Sequence, residues 1–125
     1  MKALTLIFIF FPLVFIHAQP NTAEKETAEI IGTWVIENES SNKWVFSANQ
    51  SCEWRFNGVT IGQFTYSVNS EFSPNGNEHT YLKLVGTDNV NEVYEYAINS
   101  LGKHKMTLST LSPKVNYTHF VKQSH

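Results

Sequence analysis

The sequence predicts a small all-β domain of about eight antiparallel strands, and three observations support this fold class. About eight short runs rich in β-branched and aromatic residues follow one another from position 33 to position 122, at the spacing typical of a sandwich or barrel. Most runs alternate apolar and polar residues, as strands with one buried face do. Turn residues separate the runs by short connections, which favours antiparallel pairing between neighbours in sequence.

The N-terminus has the pattern of a secretory signal peptide. Lys2 supplies a positive charge, Leu4–Ile16 is an almost unbroken apolar run, and Ala18 offers a small residue for cleavage. A membrane anchor is the alternative, but this run is shorter than the roughly 20 apolar residues that a spanning helix needs. We therefore predict a signal peptide over residues 1–18, a secreted or periplasmic location, and no membrane span after signal removal.

The size and charge of the chain restrict the class of the mature domain. The whole chain has 125 residues, which suits one domain with a single core. Its formal net charge of −2 and pI near 6.2 provide no general attraction to nucleic acid. Aromatic residues make up 14% of the chain, a share that favours a packed interior over disorder. We expect a monomer that does not bind nucleic acid.

A polar linker leads into the domain. Residues 19–29 read as a linker that ends in a short helical turn, with Thr22 as a candidate N-cap and Gly32 placed to stop the turn. The domain itself is predicted over residues 30–123. Its predicted strands are Thr33–Glu37, Lys43–Ala48, Ser51–Phe56, Val59–Val68, His79–Val85, Glu92–Ile98, Lys103–Ser109 and Val115–Lys122.

Two local signals predict how the strands turn and bend. Asn57-Gly58 between two β-rich runs predicts a type I′ hairpin, because both central positions of that turn need positive φ. In the following strand Val59 and Ile61 are out of step with Phe64 and Tyr66, and Gly62 lies between the two pairs. A bulge or sharp bend at Gly62 would bring both pairs to one side of the sheet and curl it towards a barrel.

The alternation places a set of aromatic rings on the inward face of the predicted strands. An eight-stranded barrel has an interior just wide enough to be filled by side chains or to hold one small ligand. Both alternatives remain open, because rings that line a pocket can also fill it. The eight residues that we predict as ligand-binding are Trp44, Phe46, Trp54, Phe56, Phe64, Tyr66, Tyr94 and Tyr96. Buried hydroxyl groups need partners, so the three tyrosines are the natural polar points of a pocket.

Cys52 is the only cysteine, so the domain forms no internal disulfide. The favoured interpretation is a small buried hydrophobic residue. An intermolecular disulfide and a reactive thiol are the alternatives. Stability must then come from strand pairing and apolar burial.

No catalytic or metal-binding spacing stands out. The histidines occur singly at His79, His104, His119 and His125. His104 and His119 fall on neighbouring predicted strands, so a two-histidine metal site is conceivable, but edge or surface histidines are the simpler interpretation. The sequence predicts no catalytic residues, no metal, no cofactor and no enzymatic activity.

The segment Gly32-Thr33-Trp34, placed before about eight strands, resembles the short bacterial-type lipocalin-like domains of the calycin superfamily. In that family the Trp closes one end of an up-and-down barrel, and a basic residue near the last strand covers it. The resemblance implies that Trp34 and Lys122 close the barrel here, with Lys114 as the less favoured choice. It spans about residues 30–123, but the family's mid-chain T-D-Y motif and C-terminal Arg are absent.

The resemblance implies an eight-stranded up-and-down lipocalin-like barrel that binds a small hydrophobic molecule. We therefore expect an exported domain that takes up a small apolar or amphipathic ligand without catalysis. The alternative is a filled β-barrel that acts through its surface as a protein-interaction or inhibitor module.

Overall fold

The structure, a computed structural model, describes residues 22–111 and 113–124. One helix, α1 (Thr22–Ile30), precedes eight strands. The strands are β1 (Gly32–Ile36), β2 (Glu39–Phe46), β3 (Ser51–Phe56), β4 (Val59–Phe72), β5 (Glu78–Gly86), β6 (Val93–Leu101), β7 (Lys105–Thr110) and β8 (Tyr117–Lys122). The predicted signal peptide, residues 1–18, lies outside the described residues.

The strands form a closed barrel in sequential order. Each strand pairs antiparallel with the next, and β8 returns to pair with β1 through Trp34 opposite Lys122 and Ile36 opposite Phe120. The predicted all-β fold of eight antiparallel strands is therefore confirmed. The helix comprises nine residues and is longer than the predicted turn.

The two ends of the barrel differ in what covers them. Helix α1 leads into β1 and packs against β4 and β6 at one end, together with the connections 47–50, 73–77 and 102–104. We call this the helix end. The opposite end, called the open end, carries the connections 37–38, 57–58, 87–92 and 111–116.

The hairpin between β3 and β4 has the predicted turn. Asn57 and Gly58 both have positive φ, at 53° and 78°, as a type I′ turn requires. Only residues that tolerate the left-handed region fit this connection at low cost, which explains the Asn-Gly pair.

The bulge predicted at Gly62 is present, and it places Val59 opposite Phe56, on the same face of the sheet as that ring. Trp54 pairs with Gly62 and Arg55 with Thr60, so Ile61 is the extra residue of the bulge. Val59 and Ile61 are nevertheless 62% and 64% exposed. The reason is that pairing of β4 with β5 begins only at Phe64, so the tip of the hairpin extends past the barrel wall.

The hydrophobic core occupies the barrel from the helix end towards the open end. Cys52 is buried with a free thiol, which confirms its interpretation as a small buried hydrophobic residue. The buried hydrophobic residues are Ile30, Trp34, Phe46, Cys52, Phe64, Tyr66, Leu82, Leu84, Ile98, Met106, Leu108 and Phe120. Rings supply much of this volume, so barrel stability depends on how they pack.

Gly62→Ala is expected to lower the free energy of unfolding by about 1–3 kcal/mol, as overpacking does. A Cβ at this position would lie 2.8 Å from Phe64 Cε2, and contacts with Trp54 and Tyr94 hold that ring in place. Urea unfolding followed by tryptophan fluorescence measures the change. Gly102→Ala is the matched control, because its nearest heavy atom, Lys105 O, is 3.9 Å away. Equal stability of the two variants would contradict the prediction.

Candidate functional site

Trp34 and Lys122 meet at the helix end. The Trp34 indole is fully buried, and its Nε1 donates a hydrogen bond of 2.7 Å to the Ile30 carbonyl oxygen. Lys122 Nζ lies 5.1 Å from the centroid of the Trp34 ring, within cation–π range. It also donates a 3.0 Å hydrogen bond to the Glu29 carbonyl, one of the acceptors that a helix C-terminus leaves unpaired.

Gly32 makes room for this arrangement. Its φ is +138°, and a Cβ there would lie only 2.6 Å from Lys122 Cε. The absence of a side chain at Gly32 therefore lets Lys122 lie against Trp34. Lys114, the other basic residue considered from the sequence, belongs to the connection 111–116 at the opposite end of the barrel.

Helix α1 is also attached to the barrel through a carboxylate. Glu26 accepts a hydrogen bond from the hydroxyl of buried Thr80, at the start of β5. Burial raises the pKa of Glu26 above its ordinary value, and the nearby carboxylates of Glu29 and Glu78 raise it further. The Thr80 hydrogen bond and Lys25 act in the opposite direction without cancelling the effect.

The predicted rings come together inside the barrel and interlock. Trp44 stacks on Trp54 with centroids 4.8 Å apart and planes 24° apart. Trp54 contacts Phe64 at 4.5 Å and Tyr94 at 5.1 Å. On the other side, Trp44 contacts Tyr96 at 5.6 Å. Seven of the eight predicted rings belong to this contact network; Phe56 has no ring contact among those resolved in the described residues.

The rings contact one another inside the barrel, and cavities among the described residues are partly open to solvent. Four such cavities have volumes of about 260–450 Å³. The largest lies against β1 and β8, between residues such as Val35, Glu37 and Val121. Trp44 and Trp54 line none of the four.

The rings become accessible at the open end. Phe46, Phe64 and Tyr66 are buried, whereas the rings nearer the open end are only partly buried; these are Trp44, Trp54, Tyr94 and Tyr96. Phe56, the last inward position of β3, is 44% exposed. We call the four partly buried rings together with Phe56 the ring face.

Exposed apolar side chains are concentrated at the open end of the barrel. Of the eleven large hydrophobic side chains that are exposed in the described residues, eight belong to the open end. They come from three of its four connections and the strand ends beside them: Phe56, Val59, Ile61, Val90, Val93, Leu111, Val115 and Tyr117. Exposed apolar groups concentrated in one region mark an interaction site more often than scattered ones do.

A carboxylate lies beside the ring face. The Tyr94 hydroxyl donates a 2.9 Å hydrogen bond to Glu92 Oε2. A Cβ on Gly86 would lie 3.0 Å from Glu92 Oε1, so the glycine leaves space for this carboxylate. The hydrogen bond to Glu92 raises the pKa of Tyr94, with burial and the negative charge of Glu92 adding to the effect.

The other polar atoms of the rings have different environments. The Tyr66 hydroxyl donates to the Ser47 carbonyl at 2.9 Å, and burial raises its pKa. Burial also raises the pKa of Tyr96 to about 12. Trp54 Nε1 is enclosed by protein and has no hydrogen-bond acceptor among the described residues. An unpaired buried donor costs about 1–3 kcal/mol, so this one lowers the stability of the barrel.

The described residues bring no metal site together: none of their histidine, cysteine and acidic side chains form a group of three or more. His119 Nδ1 lies 3.0 Å from Thr107 Oγ1. Glu53 is held on the barrel exterior by Thr60 and by an ion pair with Arg55 at 2.6 Å. Within the described part of the chain, no helix has the length and apolar character to cross a membrane.

Comparison of the chain with protein-family models, with curated proteins and with solved structures finds no match. Support for the barrel therefore comes from the structure of this chain alone. The same holds for its closure by β1 and β8 and for the contact of Trp34 with Lys122. The lipocalin-like family stays a prediction.

Sequence reasoning missed two features of the site. Phe120 is buried and contacts Trp44 at 4.9 Å, although it was not among the predicted rings. The alternation of β8 could have indicated its inward position, because it places Phe120 on the same face as Lys122. Sequence patterns also assign no role to Glu92. Its contact with Gly86, the last residue of β5, is visible only in the folded structure.

Lys122→Met is expected to lower the free energy of unfolding by about 1–3 kcal/mol, because it removes the donor to Glu29 O and the cation over Trp34 while keeping an apolar stem. Urea unfolding monitored by circular dichroism measures the loss. Lys103→Met, an exposed position at the same end of the barrel, is the control and should change stability little. A Lys122 variant as stable as the control would refute the role of Lys122 in closing the barrel.

Glu26→Gln is expected to change how stability depends on pH. Since the folded-state pKa of Glu26 is raised, its contribution to stability is full below the ordinary value of 4.5 and is lost as pH rises through the folded pKa. The glutamine variant lacks this loss, so its stability relative to wild type should increase across that window and then level off. Thermal unfolding at a series of pH values measures the difference, and parallel curves would exclude the effect.

Proposed function

We propose that this protein is an exported lipocalin-like barrel that binds a small apolar or amphipathic molecule on its ring face, without catalysis. The observation that carries the proposal is the partial exposure of four aromatic rings at one end of a barrel whose other end is closed.

The packing favours binding across the rings over binding deep inside the barrel. A ligand in the lumen would have to separate rings such as Trp44 and Trp54, whose centroids are 4.8 Å apart. A ligand that lies on the ring face keeps these contacts. If it removes about 300 Å² of apolar surface from water, the gain is roughly 7 kcal/mol before the entropic cost of association.

Polar groups at the ring face would orient an amphipathic ligand. Small-molecule sites combine apolar walls with a few polar groups that fix orientation. Tyr94 and Glu92 form such a pair at the edge of the rings.

Export and family membership are parts of the same proposal. Lys2, the apolar run Leu4–Ile16 and Ala18 support export. The lipocalin-like assignment is supported by Gly32, Trp34 and Lys122, whose contacts at the closed end match the arrangement that the resemblance implies.

A second candidate is a protein-interaction module that uses the same end. Val59, Ile61 and Val90 favour it, because they are more than 60% exposed and lie at the start of β4 and on the connection 87–92. A protein partner would cover these side chains and about 800 Å² of surface, whereas a small ligand would leave most of that area uncovered.

The small-ligand proposal is tested with residues 19–125 and the neutral fluorescent probe N-phenyl-1-naphthylamine. We expect saturable binding with quenching of tryptophan fluorescence, because Trp44 and Trp54 belong to the ring face. Phe56→Ala should weaken binding by roughly fivefold, through loss of apolar contact area. Phe72→Ala is the matched control, since Phe72 is also an exposed phenylalanine, 71% accessible, but lies at the helix end.

Absence of saturable binding, or equal affinities of the Phe56 and Phe72 variants, would reject the small-ligand proposal. Val90→Ser, which changes an exposed residue of the connection 87–92, separates the two candidates in a protein that binds the probe. A small ligand on the rings should bind this variant with unchanged affinity. A protein partner that covers the whole open end should bind the variant more weakly than it binds the wild type.

A further inference from the structure

We propose that the molecule bound at the ring face carries a positive charge, as an organic ammonium group attached to an apolar part. This inference rests on the proposed function and names the chemical class of its ligand. It is carried by the Glu92 carboxylate, which lies beside aromatic rings that are themselves accessible.

Contacts with Gly86 and Tyr94 fix the position of the Glu92 carboxylate. Gly86 pairs with Phe64 and Tyr94 pairs with Leu84, so Gly86 and Tyr94 occupy inward-facing positions at the open end. Glu92 lies over Gly86 with Oε1 close to the place that a side chain would occupy. Its Oε2 is held by the Tyr94 hydroxyl at 2.9 Å. The negative charge is thus fixed at the edge of the ring face while Glu92 stays exposed.

The rings beside Glu92 suit a cation. The Tyr94 ring lies 5.1 Å from Trp54, which in turn stacks on Trp44. Aromatic faces attract ammonium groups through the ring quadrupole, most strongly for tryptophan and when the cation is partly desolvated. A ligand whose charged group meets Glu92 and whose apolar part covers the tryptophans would use both features at once.

Positive side chains do not compete for this carboxylate. Arg55 alternates with inward Trp54 and Phe56, and it is paired with Glu53 on the outer face. Among the described residues of the open-end connections, Lys114 is the positive side chain, against the acidic residues Glu37, Asp88 and Glu92. The resulting negative potential attracts cations and disfavours anionic ligands.

Three amphiphiles with the same alkyl chain test the inference: decyltrimethylammonium, decyl maltoside and decyl sulfate, each below its micelle concentration. Calorimetric titration of residues 19–125 should show the cation binding about tenfold more tightly than the neutral compound, and the anion binding most weakly. The preference for the cation should decrease at high salt, since the Glu92 carboxylate is exposed.

Glu92→Gln should abolish the preference for the cation, so that decyltrimethylammonium and decyl maltoside bind this variant with equal affinity. Glu95→Gln is the matched control, because Glu95 is an exposed glutamate of β6 that lies opposite Lys83 and alternates with the inward Tyr94 and Tyr96. Equal binding of the three amphiphiles, or a preference that persists in Glu92→Gln, would overturn the charge inference and leave the proposed function standing. Failure of all three to bind would overturn both.

Discussion

The stacked pair of Trp44 and Trp54 is the contact through which the barrel interior is connected. Trp44 touches rings from β6 and β8, and Trp54 touches rings from β4 and β6. With no internal disulfide to constrain the chain, strand pairing and this ring network hold the barrel together. The same pair is only partly buried, so it belongs both to the core and to the accessible surface. Stability and the proposed binding surface therefore depend on the same side chains.

Apart from this shared pair, the two ends of the barrel have different roles. At the helix end, Trp34, Lys122 and the last turn of α1 satisfy each other's polar groups and exclude water from the core. At the open end, rings and apolar side chains stay accessible and a carboxylate remains exposed. Such a division permits change at the open end with little effect on the closure, because separated sites contribute almost independently to stability.

Local sequence signals predicted the fold well because their causes are local. The Asn57-Gly58 turn and the Gly62 bulge follow from backbone sterics within a few residues. The exposure of the hairpin tip does not follow from these signals, because it depends on where β5 ends in relation to β4. The meeting of Glu92 with Gly86 and the choice between a filled and a hollow interior depend on side-chain packing between strands. Alternation patterns do not contain that information.

Burial of Cys52 also has a consequence for the redox chemistry of the protein. Burial raises the pKa of the thiol, and the neighbouring Glu53 charge acts in the same direction. Thiol–disulfide exchange requires a thiolate that a disulfide can reach, and Cys52 offers neither the charge nor the access. The folded barrel should therefore keep its single thiol unmodified in an oxidising compartment as well as in a reducing one. A lone cysteine is then compatible with either environment, provided that folding precedes exposure to oxidants.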